Sequence, residues 1–116
     1  MEHLRNQVKS IIDNLETGIT YGEAGLEADA EANGYDLDDI ISGFDYLQDA
    51  LDIEYIVSSS KKYLGARVLV AFGGPNIWIN TRTKQVEGYW AGDSCILRYY
   101  DDAMCFDETL EELFQC

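Results

Sequence analysis

The side chains able to do chemistry are few and badly spaced for it. His3 is the only histidine of this 116-residue chain. A Ser-His-Asp or Cys-His set would have to use it as the base, and a base so near a terminus is not held firmly enough to be oriented. Cys95, Cys105 and Cys116 have no Cys-x-x-Cys spacing and no second histidine beside them, so a structural zinc site is not expected. They read as two small apolar fillers and one exposed thiol. Asp36-Leu37-Asp38-Asp39 imitates the opening of a calcium loop, but Ile41 stands where the loop needs glycine. Asp107/Glu111 and Glu108/Glu112 have i,i+4 spacing and, with no histidine, read as a solvated helix face. A pair of glycosidase carboxylates would need a sugar cleft, for which a chain of this size has little room. Gly73-Gly74 lacks the GxxxxGK[ST] pattern, and Pro75 follows where a helix would have to open. It reads as a tight turn. Enzymatic activity, a bound metal and a cofactor are therefore not expected.

What the sequence does carry is charge. It has 22 Asp+Glu against 8 Lys+Arg, a formal charge of −14. Between Lys9 and Lys61 there is no base, yet thirteen carboxylates occur there. From Lys61 to Arg98 six bases face only Glu87 and Asp93, and after Arg98 come six more carboxylates and no base. Surface helices ordinarily intersperse both signs to gain i,i+4 pairs worth about 0.2–0.5 kcal/mol each. This chain forgoes them over half its length. Such a surface either serves solubility or is built for a basic partner. Free nucleic acid and anionic membranes would be repelled.

The elements that must position these charges follow from periodicity. Leu4, Val8, Ile11, Ile12 and Leu15 form one stripe, predicting a helix over 3–16 that Gly18 ends in a left-handed conformation. A second helix is expected over 21–32, with Thr20 and Glu23 at capping-box spacing and Asn33-Gly34 as its break. Asp36 then caps a third, strongly amphipathic helix. Its apolar face is Leu37, Ile40, Ile41, Phe44, Leu47 and Leu51, and Asp38, Asp39, Asp45, Asp49 and Asp52 lie opposite. Near residue 53 the period becomes two. Strands are predicted over 53–58, 66–72, 77–80 and 85–90, with residues 95–100 either a short strand or the start of a final helix over 101–114. That helix turns Ala103, Phe106, Leu110, Leu113 and Phe114 inward. The expected fold is α+β: N-terminal helices, a four-stranded antiparallel β-meander and a C-terminal helix in one domain over 1–116. With no run of 18 apolar residues and no leader-like apolar block, the expected location is the cytoplasm of a bacterial host cell.

One stretch has familiar wording. Ala71-Phe72-Gly73-Gly74-Pro75-Asn76-Ile77-Trp78-Ile79-Asn80-Thr81, with Gln85-Val86-Glu87-Gly88-Tyr89-Trp90 and Gly92-Asp93, resembles small acidic accessory proteins of Gram-positive phages and integrative elements. The resemblance covers about a quarter of the chain. It implies a mobile-element context, in which proteins of this size often inhibit host defence, anti-restriction and anti-CRISPR proteins included. It transfers no catalytic residue.

Two functions from different classes follow. In the first, the chain is a non-enzymatic inhibitor whose acidic helices imitate DNA phosphates in the basic groove of a host defence protein, either a CRISPR nuclease or a restriction enzyme. Glu23, Glu27, Asp29, Glu31, Asp38, Asp39, Asp45 and Asp49 are the expected contacts. In the second, it is an acidic adaptor or dimerisation domain anchored by Trp78, Tyr89 and Trp90, with a homodimer as one outcome. The interleaving of Arg67, Arg82, Lys84 and Arg98 with aromatic residues could also stack single-stranded bases. The competing reading packs the aromatics into the core and pairs the bases with the acidic helices.

Overall fold

The computed structural model describes residues 2–116. It is an α+β fold. Helix α1 spans Glu2–Thr17, α2 Glu27–Asn33 and α3 Gly43–Leu47; strands β1 Asp52–Val57, β2 Tyr63–Ala71, β3 Asn76–Asn80, β4 Gln85–Trp90 and β5 Asp93–Arg98 follow, and α4 covers Phe106–Gln115. The strands form a five-stranded antiparallel meander in sequential order, one strand more than the sequence pattern suggests. Residues 93–98 are that fifth strand, so the last helix begins at Phe106 and Ala103 is exposed.

α1 forms where its stripe predicts, burying Leu4, Val8, Ile12 and Leu15. Gly18 closes it at φ 84, its N–H bonded to the Asn14 carbonyl at 2.9 Å. The helix lies over β4 and β5, and α4 lies over β2 with α3 against it. Gly88 shows how close α1 comes: a Cβ there would sit 2.6 Å from Val8 Cγ2 and 2.9 Å from Leu4 Cδ1. Gly88 therefore faces the helices, and the pleat turns Glu87 and Tyr89 to the other side of the sheet. The core on the helix side joins α1 to Val68, Ile77, Ile79, Val86, Phe106 and Leu110.

The second predicted helix is shortened, and the third is reduced to a short helix. Thr20 and Glu23 do make the reciprocal cap, each backbone N–H bonded to the other's side-chain oxygen at 3.1 Å. It opens only a turn over 21–25, and α2 starts at Glu27. Gly34 ends α2 in a left-handed conformation, as the Asn33-Gly34 pair implies. The larger departure is over 36–51. Residues 37–41 pair with the segment after α1 instead of coiling. Tyr21 N–H bonds to the Asp39 carbonyl at 3.0 Å, Gly22 N–H to Leu37 at 3.0 Å, and Ile41 N–H to Ile19 at 2.8 Å. Ser42 then caps the five-residue α3, its hydroxyl accepting the Asp45 N–H at 3.1 Å. Gly43 allows that helix to meet α4, since a Cβ there would lie 2.5 Å from Thr109 Oγ1. With the helical register broken, the apolar stripe no longer shares one face. Ile41 and Leu47 are buried, while Leu37, Ile40, Phe44 and Leu51 stay about half exposed.

α4 is started from outside. The Asp102 carboxylate accepts the N–H groups of Phe106 at 2.7 Å and Asp107 at 3.0 Å, while Cys105 turns the chain at φ 53. The thiols divide differently from the expectation, because Cys95 alone is buried and both Cys105 and Cys116 are exposed.

Candidate functional site

The eight predicted contact carboxylates are gathered by three short segments, not by two long helices. Glu27, Asp29 and Glu31 project from α2, with Ala30 as the buried residue beneath them. Glu27 and Glu31 stand one turn apart on one side of it. Glu23 lies on the turn that is hydrogen-bonded to residues 37–39, so Asp38 and Asp39 run alongside it. Asp39 has a structural duty as well, its Oδ2 accepting the Asp36 N–H at 2.9 Å. Asp45 and Asp49 follow on and after α3. All but Asp45 are exposed; Asp45 is half-buried and receives the Tyr21 hydroxyl at 3.4 Å. Burial, with Asp45 beside it, raises the pKa of Tyr21.

Three of the eight border one hollow of about 420 Å³. Glu23, Asp45 and Asp49 share its lining with the apolar Ile11, Ile19, Leu26, Ile41 and Val70. Tyr46 contributes a phenol that burial pushes up to about 12. Around the acids, Tyr35, Leu37, Ile40 and Phe44 expose large apolar surface, and Tyr35 stacks on Tyr21 with ring centroids 5.3 Å apart.

None of the eight meets a base. Among the described residues the only ion pairs are Arg67 with Glu54 at 3.5 Å and Arg67 with Glu87 at 2.9 Å. The sequence reading in which the bases neutralise the acidic helices is therefore contradicted. The placement of the sheet aromatics in the core holds for Tyr99, which is buried, and fails for the others. Trp78 and Tyr89 lie on the sheet face away from α1 and α4, and Trp90 is half exposed at the strand end.

That outer face holds a cluster the sequence reading missed. Glu87, only 8% exposed, takes Arg67 Nη2 at 2.9 Å, Asn80 Nδ2 at 3.2 Å and the Tyr89 hydroxyl at 3.0 Å. The Arg67 guanidinium lies 4.3 Å from the centre of the Trp78 ring. The signal was present in the alternation Val86-Glu87-Gly88-Tyr89, which puts Glu87 and Tyr89 together opposite Val86 and Gly88.

His3 is exposed and contacts Gln7 at 2.8 Å, and no group of three or more His, Cys, Asp or Glu able to hold a metal occurs among the described residues. Among the same residues no helix is long and apolar enough to cross a membrane. No protein-family model, curated protein or solved structure matches the chain.

Proposed function

We propose that the chain is a non-enzymatic inhibitor that presents the acidic surface of residues 23–49 to a basic, nucleic-acid-binding protein. The class of target, a restriction enzyme or CRISPR nuclease of the host, comes from the resemblance of residues 67–93 to accessory proteins of mobile elements. The observation that carries the reading is the absence of any ion-pair partner for Glu23, Glu27, Asp29, Glu31, Asp38, Asp39, Asp45 and Asp49 among the described residues. Charges held unneutralised attract a basic groove from a distance and occupy it in place of phosphates. Leu37, Ile40 and Phe44 add the apolar contacts that hold the docked complex once water is displaced. Inhibition works by occupying the groove and requires no cofactor.

The test is a nuclease-protection assay with Glu27, Glu31, Asp38 and Asp49 reversed to Lys. These four are exposed and their side chains make no hydrogen bond, so the variant keeps its fold. Loss of inhibition supports the proposal; full inhibition by the folded variant refutes it. The adaptor reading keeps a claim from one observation, the position of Trp78 and Tyr89 on a sheet face that neither α1 nor α4 covers. Truncating Trp78 and leaving the acids intact separates the two.

A further inference from the structure

The outer sheet face carries charges of both signs on a chain of −14. Register places Glu54, Arg67, Asn80, Gln85 and Arg98 in one row across the five strands. The next row is Asp52, Leu69, Trp78, Glu87 and Ile96. Acid stands at the β1 edge and base at the β5 edge, with the apolar Trp78 and Ile96 between them. Glu87, the charge nearest the middle, is already satisfied by three donors within the chain, so covering the centre of this face leaves that carboxylate paired.

We infer that this face pairs with the same face of a second copy about a two-fold axis parallel to β3. Such a rotation leaves each row over its own counterpart and exchanges the sheet edges. Glu54 of each copy then faces Arg98 of the other, Trp78 meets Trp78, and the sheets stack about 10 Å apart. The interface is self-complementary, as a two-fold contact must be. Two copies meeting through residues 23–49 would instead bring unneutralised carboxylates together. The inference makes the adaptor reading specific and does not depend on what the acidic surface binds. In the dimer both acidic surfaces point away from the interface, since residues 41–47 pack on the helix side against α4. The dimer is then a bivalent acidic ligand.

The experiment is sedimentation equilibrium of the full chain over a concentration series. The wild type is expected to move from 13.1 kDa to twice that mass. Glu54→Lys and Arg98→Glu each set like charges opposite one another at both symmetry-related contacts. Each should raise the dissociation constant about tenfold, the effect of roughly 1.4 kcal/mol spread over two exposed pairs. Mixing the two variants makes a heterodimer in which the two substituted side chains face each other with opposite charge. Its second contact is the native pair of Arg98 with Glu54, so the wild-type constant should return. Glu54 and Arg98 are exposed, so thermal melts should show both variants folded, Glu54→Lys melting lower only by the loss of its 3.5 Å pair with Arg67. A wild type that stays monomeric, variants that dimerise unchanged, or a mixture that fails to recover would each overturn the inference. A lost dimer with intact nuclease inhibition counts against this interface alone; the reverse result counts against the acidic-surface proposal alone.

Discussion

Replacing Glu87 by alanine tests whether one buried carboxylate organises the outer face. The change removes the acceptor for three donors, and they are not equally exposed. Arg67 is 30% exposed in its side chain, keeps Glu54 at 3.5 Å and can turn to water. The Tyr89 hydroxyl belongs to a half-open residue and can also find water. Asn80 cannot, being only 9% exposed, so its side-chain N–H group is stranded. A stranded buried donor costs about 1–3 kcal/mol, and losing a charge-assisted bond adds a similar amount discounted for the exposure of Arg67. The expected loss is therefore about 2–4 kcal/mol, a fall of roughly 8–16 °C in Tm for a chain of this length. Urea melts of Glu87→Ala, Asn80→Ala and the double variant give the coupling directly. The double variant should be less damaged than the sum of the singles, because it leaves no orphaned donor at position 80. Glu87→Ala melting within a degree of the wild type, or strict additivity with Asn80→Ala, would refute the reasoning.

Other outcomes follow from the same geometry. Leu47→Ala should cost about 2–5 kcal/mol and Phe44→Ala about 1 kcal/mol or less, because Leu47 is 8% exposed and Phe44 50%; equal losses in chemical melts would restore the long helix over 36–51. Gly88→Ala should cost about 1–3 kcal/mol by overpacking against Val8 and Leu4, read as a lowered urea midpoint with unchanged slope. Burial raises the phenols of Tyr46, Tyr63 and Tyr99, Tyr46 to about 12, and Asp107 adds to the rise at Tyr63. Their neutral forms are favoured in the fold, so the stability they confer is full below the ordinary value of about 10 and is lost as pH rises through the folded values. Stability should fall by about 1.4 kcal/mol per pH unit for each phenol above pH 10, and Tyr46→Phe should make the decline shallower.

Parts of this structure were legible in sequence for definite reasons. α1 was, because its apolar residues bury on one stripe with no competing partner for its backbone. β1 to β4 were, because their alternation matches a sheet with one helix-covered face. β5 was obscured by its turn. Ala91 and Gly92 both have positive φ, 51 and 87, and an alanine gives no hint of a hairpin that normally uses Asn-Gly. The segment over 36–51 misled because its helical pattern is real, yet the backbone bonds of residues 37–41 go to Ile19, Tyr21 and Gly22. That pairing is non-local, and no window of sequence around residue 40 contains it. The acids of the candidate site could be named because charge survives any local rearrangement. Their grouping around the hollow with Ile11 and Val70 could not be foreseen, since it depends on how α1, β2 and α3 meet. Glu87 was passed over because a carboxylate on a sheet reads as solvated until its neighbours are known.

The central claim is that the carboxylates of residues 23–49 stand in for phosphates, and competition tests it most directly. A defence protein that the proposed function names as target is titrated with a DNA duplex at a fixed concentration of the chain, at 0.1 M and at higher salt. The account predicts mutually exclusive binding, with the apparent inhibition constant rising in proportion to duplex concentration. It also predicts a steep loss of affinity with salt, as the Debye length shrinks from about 10 Å at 0.1 M to about 3 Å at 1 M. A ternary complex of target, duplex and inhibitor, with an affinity indifferent to salt, would contradict it.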